Sequence, residues 1–286
     1  MTSLARRPTL RAVLFLLPGI GFLALLFGFP LVSAFLGSFG LADGPGEFTT
    51  RYYAKVANSA VLRRGFSVTV YYAVAPVVIS TILATALALV IRRPFAGRSL
   101  FSGLYKLPMA VPGIIVALMV LTLIERGGFF DRLLAPFDLT LPRLVRDPLG
   151  VGVIVASVWK QLPFLTLVIT GAFAGVPEDV RNAARSLGAN RIRAFFLVEL
   201  PLALPAITAA VLITFVGSLG GFAIPDLIGA PSPLPLSIRM VRAFNEGNAS
   251  EAYALGMVIA GFGSAVLLSY YALTAGIAHP RRQHDA

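Results

Sequence analysis

Six long apolar runs alternate with polar, charge-bearing segments: Leu10 to about Leu36, Phe66 to Ile91, Leu107 to Ile124, Leu149 to Phe173, Leu202 to Ile224 and Ala252 to Ile277. A helix crossing a hydrocarbon core needs roughly 20 apolar residues, so this pattern predicts six membrane-spanning helices. The third run is the shortest and carries Pro108 and Pro112. Both fit in or before a first helical turn, where a missing amide donor is tolerated. The first run follows Arg6 and Arg7, exceeds the apolar core of a secretory signal and lacks a convincing cleavage site. It reads as a retained span.

Composition agrees with that solvent. The 286 residues are 57% hydrophobic and 13% charged, whereas soluble domains carry about 25% charged residues. The expected fold is an all-α integral membrane protein with six transmembrane helices. Cysteine is absent, which excludes disulfides and thiolate chemistry. The two histidines, His279 and His284, lie beyond the last apolar run, so neither a histidine triad nor a histidine-based zinc site is expected inside the fold. The net charge of +11 would suit nucleic acid, but its placement suits membrane orientation instead. The tails and the connections 92–106 and 174–201 hold thirteen Lys and Arg against four acids; the other side holds ten against nine. Lysine and arginine accumulate on the cytoplasmic face, so both termini are expected on the cytoplasmic side. With no repeat and no linker between soluble parts, one membrane domain over residues 1–286 is the simplest partition. The outer connection Glu125 to Pro148, with Gly127, Gly128 and Pro136, reads as a folded loop.

The most informative connection runs from Val176 to Pro201. Pro177 suits an early helical position, Glu178 and Asp179 place negative charge at a helix N-terminus, and Gly188 suits a left-handed stop. Between them Val180, Ala183, Ala184 and Leu187 form one small apolar face. A helix of roughly ten residues is marginal alone, so docking should hold it. In a partner groove the two alanines permit close approach, Leu187 fills a pocket, and Arg181 and Arg185 reach surrounding polar groups. The competing reading is a helix lying on the membrane surface, held by lipid phosphates.

In this segment Asn182, Ala183, Ala184, Gly188, Val198, Leu200 and Pro201 reproduce, with full spacing, the cytoplasmic signature of the type I ABC importer permeases, the inner-membrane components of binding-protein-dependent transport. The sequence resembles that family over nearly its whole length. Asn182 departs from the usual glutamate, which puts in doubt an ionic contact there. Leu107 to Gly113 and Val158 to Phe164 are similar to segments of the polyamine, iron and sulfate branch. The resemblance implies that residues 176–201 form a coupling segment docking on cytoplasmic ATPase subunits, with Arg181, Asn182, Ala183, Ala184, Arg185, Leu187 and Gly188 at the joint. It further implies a second permease subunit completing the pathway, a heterodimer partner in expectation, two ATPases carrying ATP and Mg, an extracytoplasmic solute-binding protein, surrounding lipid, and no nucleic acid.

The residues support a noncatalytic chain. A phosphate-binding loop needs Gly before its Lys, whereas Lys55, Lys106 and Lys160 follow Ala, Tyr and Trp. Lys160 lies within the fourth run, where an ionisable residue usually faces protein or water; contact with the transported solute and a structural role near Pro163 both remain open. Trp159 and Gln161 are further pathway candidates, although helical spacing does not put all three on one face. Asp226, at the end of the fifth run, could attract a cationic solute or pair with a nearby arginine. A polyamine or another small polar solute is the expected cargo, and an ion-gradient-driven secondary transporter is the alternative mechanism.

Overall fold

A computed structural model describes residues 8–42, 47–140 and 142–277. The tail residues Arg6, Arg7, His279 and His284 lie outside these. Among the described residues all regular structure is helical. Two compact units make up the chain.

The first unit comprises the chain up to Arg63 together with Arg239–Gly261. Its opening helices, α1 (Pro8–Leu23) and α2 (Phe29–Leu36), are joined through a π-helical turn at Ala24–Gly28 and followed by another at Gly37–Leu41. Their large side chains, Phe22, Phe27 and Phe29 among them, are exposed, as expected of a helix whose solvent is lipid. Helix α3 (Arg51–Asn58) is amphipathic. Lys55 on α3 pairs with Glu251 at 2.6 Å, and Ser38 Oγ lies 2.6 Å from the Tyr53 hydroxyl.

The second unit comprises Arg64–Ile238 and the chain from Phe262 onward. Helix α4 spans Ala60–Ile91, and its 32 residues rise about 48 Å, more than the hydrocarbon thickness. Next come α5 (Arg98–Leu104), α6 (Leu107–Ala110), α7 (Gly113–Ile124), α8 (Phe129–Leu134) and α9 (Val151–Ala174). A short α10 (Glu178–Ser186) and α11 (Arg191–Ala194) lead through a π-helical turn, Phe195–Glu199, into α12 (Leu200–Leu219). After these follows α13 (Ala223–Ile228), and then α14 (Leu236–Asn245) and α15 (Ala249–Ile277), of which residues 239–261 belong to the first unit.

Among the described residues, six stretches are long and apolar enough to cross a membrane: Phe15–Leu41, Ala60–Ile91, Gly113–Phe137, Val151–Ala174, Arg191–Leu219 and Ala249–Thr274. Their order matches the six apolar runs, but several boundaries move, and two of the shifts have a plain local cause. The third run does not form one helix from Leu107, because Pro112 drives Val111 to an extended conformation (φ −83°, ψ 123°) and splits α6 from α7. The fifth begins at Arg191 rather than Leu202. There the Asn190 side chain accepts the Arg193 amide at 2.8 Å and starts the helix, and the π-helical turn carries the path through Pro201.

Among the described residues, two buried clusters pack in the second unit. In one, Leu165, Ile169 and Phe173 of α9 meet Ala84 and Ala88 of α4 and Ala203, Ile207 and Ala210 of α12. Alanines at these contacts let helix backbones approach, which carries much of helix association in lipid. The other gathers Tyr72, Val116, Ala117, Val153, Ala156 and Ile228 around the opposite half of α9. The central helix α9 is therefore held on several sides, and side chains projecting from it are placed by rigid packing.

Candidate functional site

On α9, Ser157, Lys160 and Gln161 stand at i, i+3 and i+4 and so share one face. Thr214, Gly217 and Ser218 repeat that spacing on α12, which packs along α9. The two faces line a cavity of about 340 Å³, closed further by Thr69, Tyr72 and Ser237. Trp159, one residue earlier and about 100° around the helix, is 37% exposed and stands outside that lining. Asp226 is exposed on α13; its neighbours Ile224 and Pro225 line the cavity, and Asp226 does not.

Lys160 is the single charged residue among the described lining residues. Its ammonium donates to the Val111 carbonyl at 2.7 Å. That carbonyl precedes the first carbonyl used by α7, since Val116 donates to Pro112, so the chain break at Pro112 leaves it without a helical donor and Lys160 supplies one. An ammonium has three donors, and this bond uses one. Gln161 Nε2 donates to Ser218 Oγ at 2.9 Å, and Ser218 in turn donates to the Thr214 carbonyl. Gln161 Oε1 is buried with no partner, an acceptor for which a ligand or water donor is the natural complement. Ser157 stands three residues before Lys160, and Thr214 and Ser218 stand four apart, so polar positions recur at helical spacing on two otherwise apolar helices, a local signal of this face in the sequence.

The second candidate region is α10. Pro177 is its N-cap, with an extended ψ of 140°, and Glu178 and Asp179 occupy the first turn. At its far end the Gly188 amide donates to Arg185 O and the Ala189 amide to Ala184 O, with Gly188 at φ +84°. This pair of bonds around a left-handed residue is the Schellman arrangement, as the glycine's position implied. Val180, Ala183 and Leu187 are all exposed, and Leu187 is 90% so; Ala184 is half-buried. Asn182 and Arg185 are exposed. Arg181 folds back instead: its Nη2 donates to Phe173 O at 3.2 Å and to Val176 O at 2.7 Å. These carbonyls lie at the end of α9 and just beyond it, so Arg181 ties α10 to the central helix.

A third feature lay beyond sequence reasoning. Glu199, in the π-helical turn, is buried and pairs with Arg92, which follows α4. The two residues are 107 positions apart, and no local pattern connects them.

The family described as binding-protein-dependent transport system inner membrane component matches residues 77–283, a range containing α9, α10 and α12 whole. The chain belongs to that family. It is a permease subunit of an ABC importer translocation pathway, and its all-α membrane fold is that of a type I permease core. A probable molybdenum ABC transporter permease protein of Haloferax volcanii is 27% identical over 243 residues, covering 83% of each chain. The trehalose/maltose transport system permease protein of Thermococcus litoralis is 27% identical over 225 residues, covering 77% of this chain and 76% of its own. In fold, the permease is similar to a chain of a bacterial ABC transporter involved in import of the acidic polysaccharide alginate, with a TM-score of 0.80, 20% identity and coverage of 94% and 96%. Relatives named for molybdenum, trehalose/maltose and sulfate transport single out no one branch of the family.

Proposed function

We propose that α10, within residues 176–201, is the coupling helix through which cytoplasmic ATPase subunits drive this permease. The observation that carries the reading is the exposed apolar face of Val180, Ala183 and Leu187 on a helix tied to α9 by Arg181. A face of that kind needs a partner, and a rigid tie to the central helix can pass the partner's motion into the membrane. The full assembly contains a second permease, two ATPases that hold ATP and Mg, and an extracytoplasmic solute-binding protein. It sits in a bacterial cytoplasmic membrane with both termini of this chain inside, and this chain is noncatalytic.

For cargo, the cavity on α9 and α12 supports a small polar solute rich in oxygen atoms. Lys160 supplies positive charge, serine and threonine hydroxyls supply adaptable donors and acceptors, and no carboxylate among the described residues lines the space. A polyamine would meet an ammonium there without a compensating acid, so the cavity favours hydroxylated or anionic cargo over a polycation.

The deciding experiment is Leu187→Ser in membranes reconstituted with both permeases, the ATPase and the solute-binding protein. A side chain so exposed contributes little to the isolated fold, so thermal unfolding of the purified chain should stay unchanged. ATPase association and solute uptake should both fall. Full uptake with normal association would reject α10 as the coupling helix.

A further inference from the structure

On the side of α10 lies a larger cavity, about 650 Å³, whose lining includes Arg92, Arg93, Arg181, Arg185, Arg191 and Glu199. Five guanidinium groups meet one carboxylate there. That carboxylate is already engaged, since Glu199 pairs with Arg92, and Arg181 is held by two backbone carbonyls. The guanidinium groups of Arg93, Arg185 and Arg191 make no hydrogen bond or ion pair with another described residue. Three uncommitted planar forks facing one space form an anion site by charge and by geometry, because guanidinium groups bind phosphate oxygens in pairs.

The apolar part of the lining says which anion. Leu89, Ile192, Phe195 and Phe196 line the same cavity, and Ile192 is 69% and Phe196 58% exposed. The position is interfacial as well: Arg92 and Arg93 directly follow α4, whereas Arg191 opens the fifth crossing. A soluble anion would gain nothing from the apolar wall, but a phosphate carrying acyl chains matches both halves. We propose that this cavity binds the phosphate of an anionic phospholipid in the inner leaflet, with its acyl chains along Ile192 and Phe196. The leaflet assignment rests on the reading of the α10 side as cytoplasmic. Zwitterionic headgroups fit less well, because they bring an ammonium toward the guanidinium cluster. Basic cavities between membrane helices on the cytoplasmic side suit anionic headgroups for the same electrostatic reason. Arg185 lies on α10, so an occupied site also bears on how that helix is held.

The test uses the purified full-length chain in detergent, with binding of phosphatidylglycerol and phosphatidylethanolamine of identical acyl chains measured by native mass spectrometry. The parent should prefer phosphatidylglycerol by about tenfold, and the Arg93→Gln, Arg191→Gln pair should abolish that preference. The Arg98→Gln, Arg193→Gln pair removes two positive charges from the same side without touching the cavity, and should keep it. Should the first pair not fold, Arg93→Gln alone decides, with an expected loss of about threefold. Equal binding of the two lipids by the parent, or a preference that survives loss of the cavity arginines, would overturn the proposal. Inorganic phosphate protecting the chain against heat as well as phosphatidylglycerol does would assign the cavity to a soluble anion and overturn the lipid. Neither ATPase nor cargo enters this measurement, so its outcome is separate from that of the coupling experiment.

Discussion

At the scale of single residues, Lys160 joins two roles in one side chain. It closes the break that Pro112 makes by serving the Val111 carbonyl, and it charges the cavity. Lys160→Met keeps the length and removes the donors. The freed carbonyl should cost about 1.5–3 kcal/mol, the range for a hydrogen bond to a charged group, seen as a lower unfolding temperature, and uptake by the assembled importer should drop as well. Unchanged unfolding would show that the Val111 bond contributes nothing. Gly150 offers a sharper steric case. It sits at φ +65° at the start of α9, and a Cβ there would stand 2.4 Å from the Tyr72 ring. Gly150→Ala should destabilise the chain by about 1–3 kcal/mol through strain and overpacking, measured by thermal unfolding; a neutral result would mean that Tyr72 moves freely. That Lys160 would face protein or water rather than lipid was legible in the sequence, because a charge in an apolar run is costly against hydrocarbon. Which carbonyl served it was not, because Val111 lies 49 residues away and only the packing of α6 against α9 brings it near.

At the scale of elements, α10 tests whether its attachment and its apolar face are separable. Arg181→Met removes the bonds to Phe173 O and Val176 O and leaves Leu187 and its neighbours in place. ATPase subunits should still bind and hydrolyse ATP, while solute uptake falls by about tenfold or more, an uncoupled phenotype corresponding to roughly 1.4 kcal/mol of lost coupling. Uptake that tracks hydrolysis as in the parent would show that Arg181 is not the tie. Gly188→Val addresses the stop: no atom blocks a side chain there, but φ is +84°, and a branched residue in that region costs about 1–2 kcal/mol. The end of α10 should fray and ATPase association weaken, whereas association at the parental level would deny the stop any part in docking. The helix, its acidic first turn and its glycine end were readable because each depends on neighbouring residues. The fold-back of Arg181 was not. The sequence suggested an outward reach toward a partner, and only the position of the end of α9 turned that side chain inward.

At the scale of the whole molecule, the six crossings and the uneven placement of basic residues predict opposite sides for residues 176–190 and 125–148. Reporter fusions in these two connections should label as cytoplasmic and extracytoplasmic respectively; labelling on one side would refute the topology. The number and order of crossings follow from the pattern of apolar runs, because a bilayer selects for such runs regardless of what they pack against. The family signature from Asn182 to Pro201 was equally local. Tertiary structure decided the rest: that the third crossing breaks at Pro112, that the fifth begins at Arg191, that Lys160 and Gln161 face a cavity that Trp159 and Asp226 do not line, and that Glu199 meets Arg92. Hydrophobic pattern states which residues avoid water. In a chain so apolar, nearly every residue of a span satisfies that condition, so the pattern cannot say which face meets lipid, which meets another helix and which surrounds a polar cavity; only the packing of helices that are distant in sequence settles those choices.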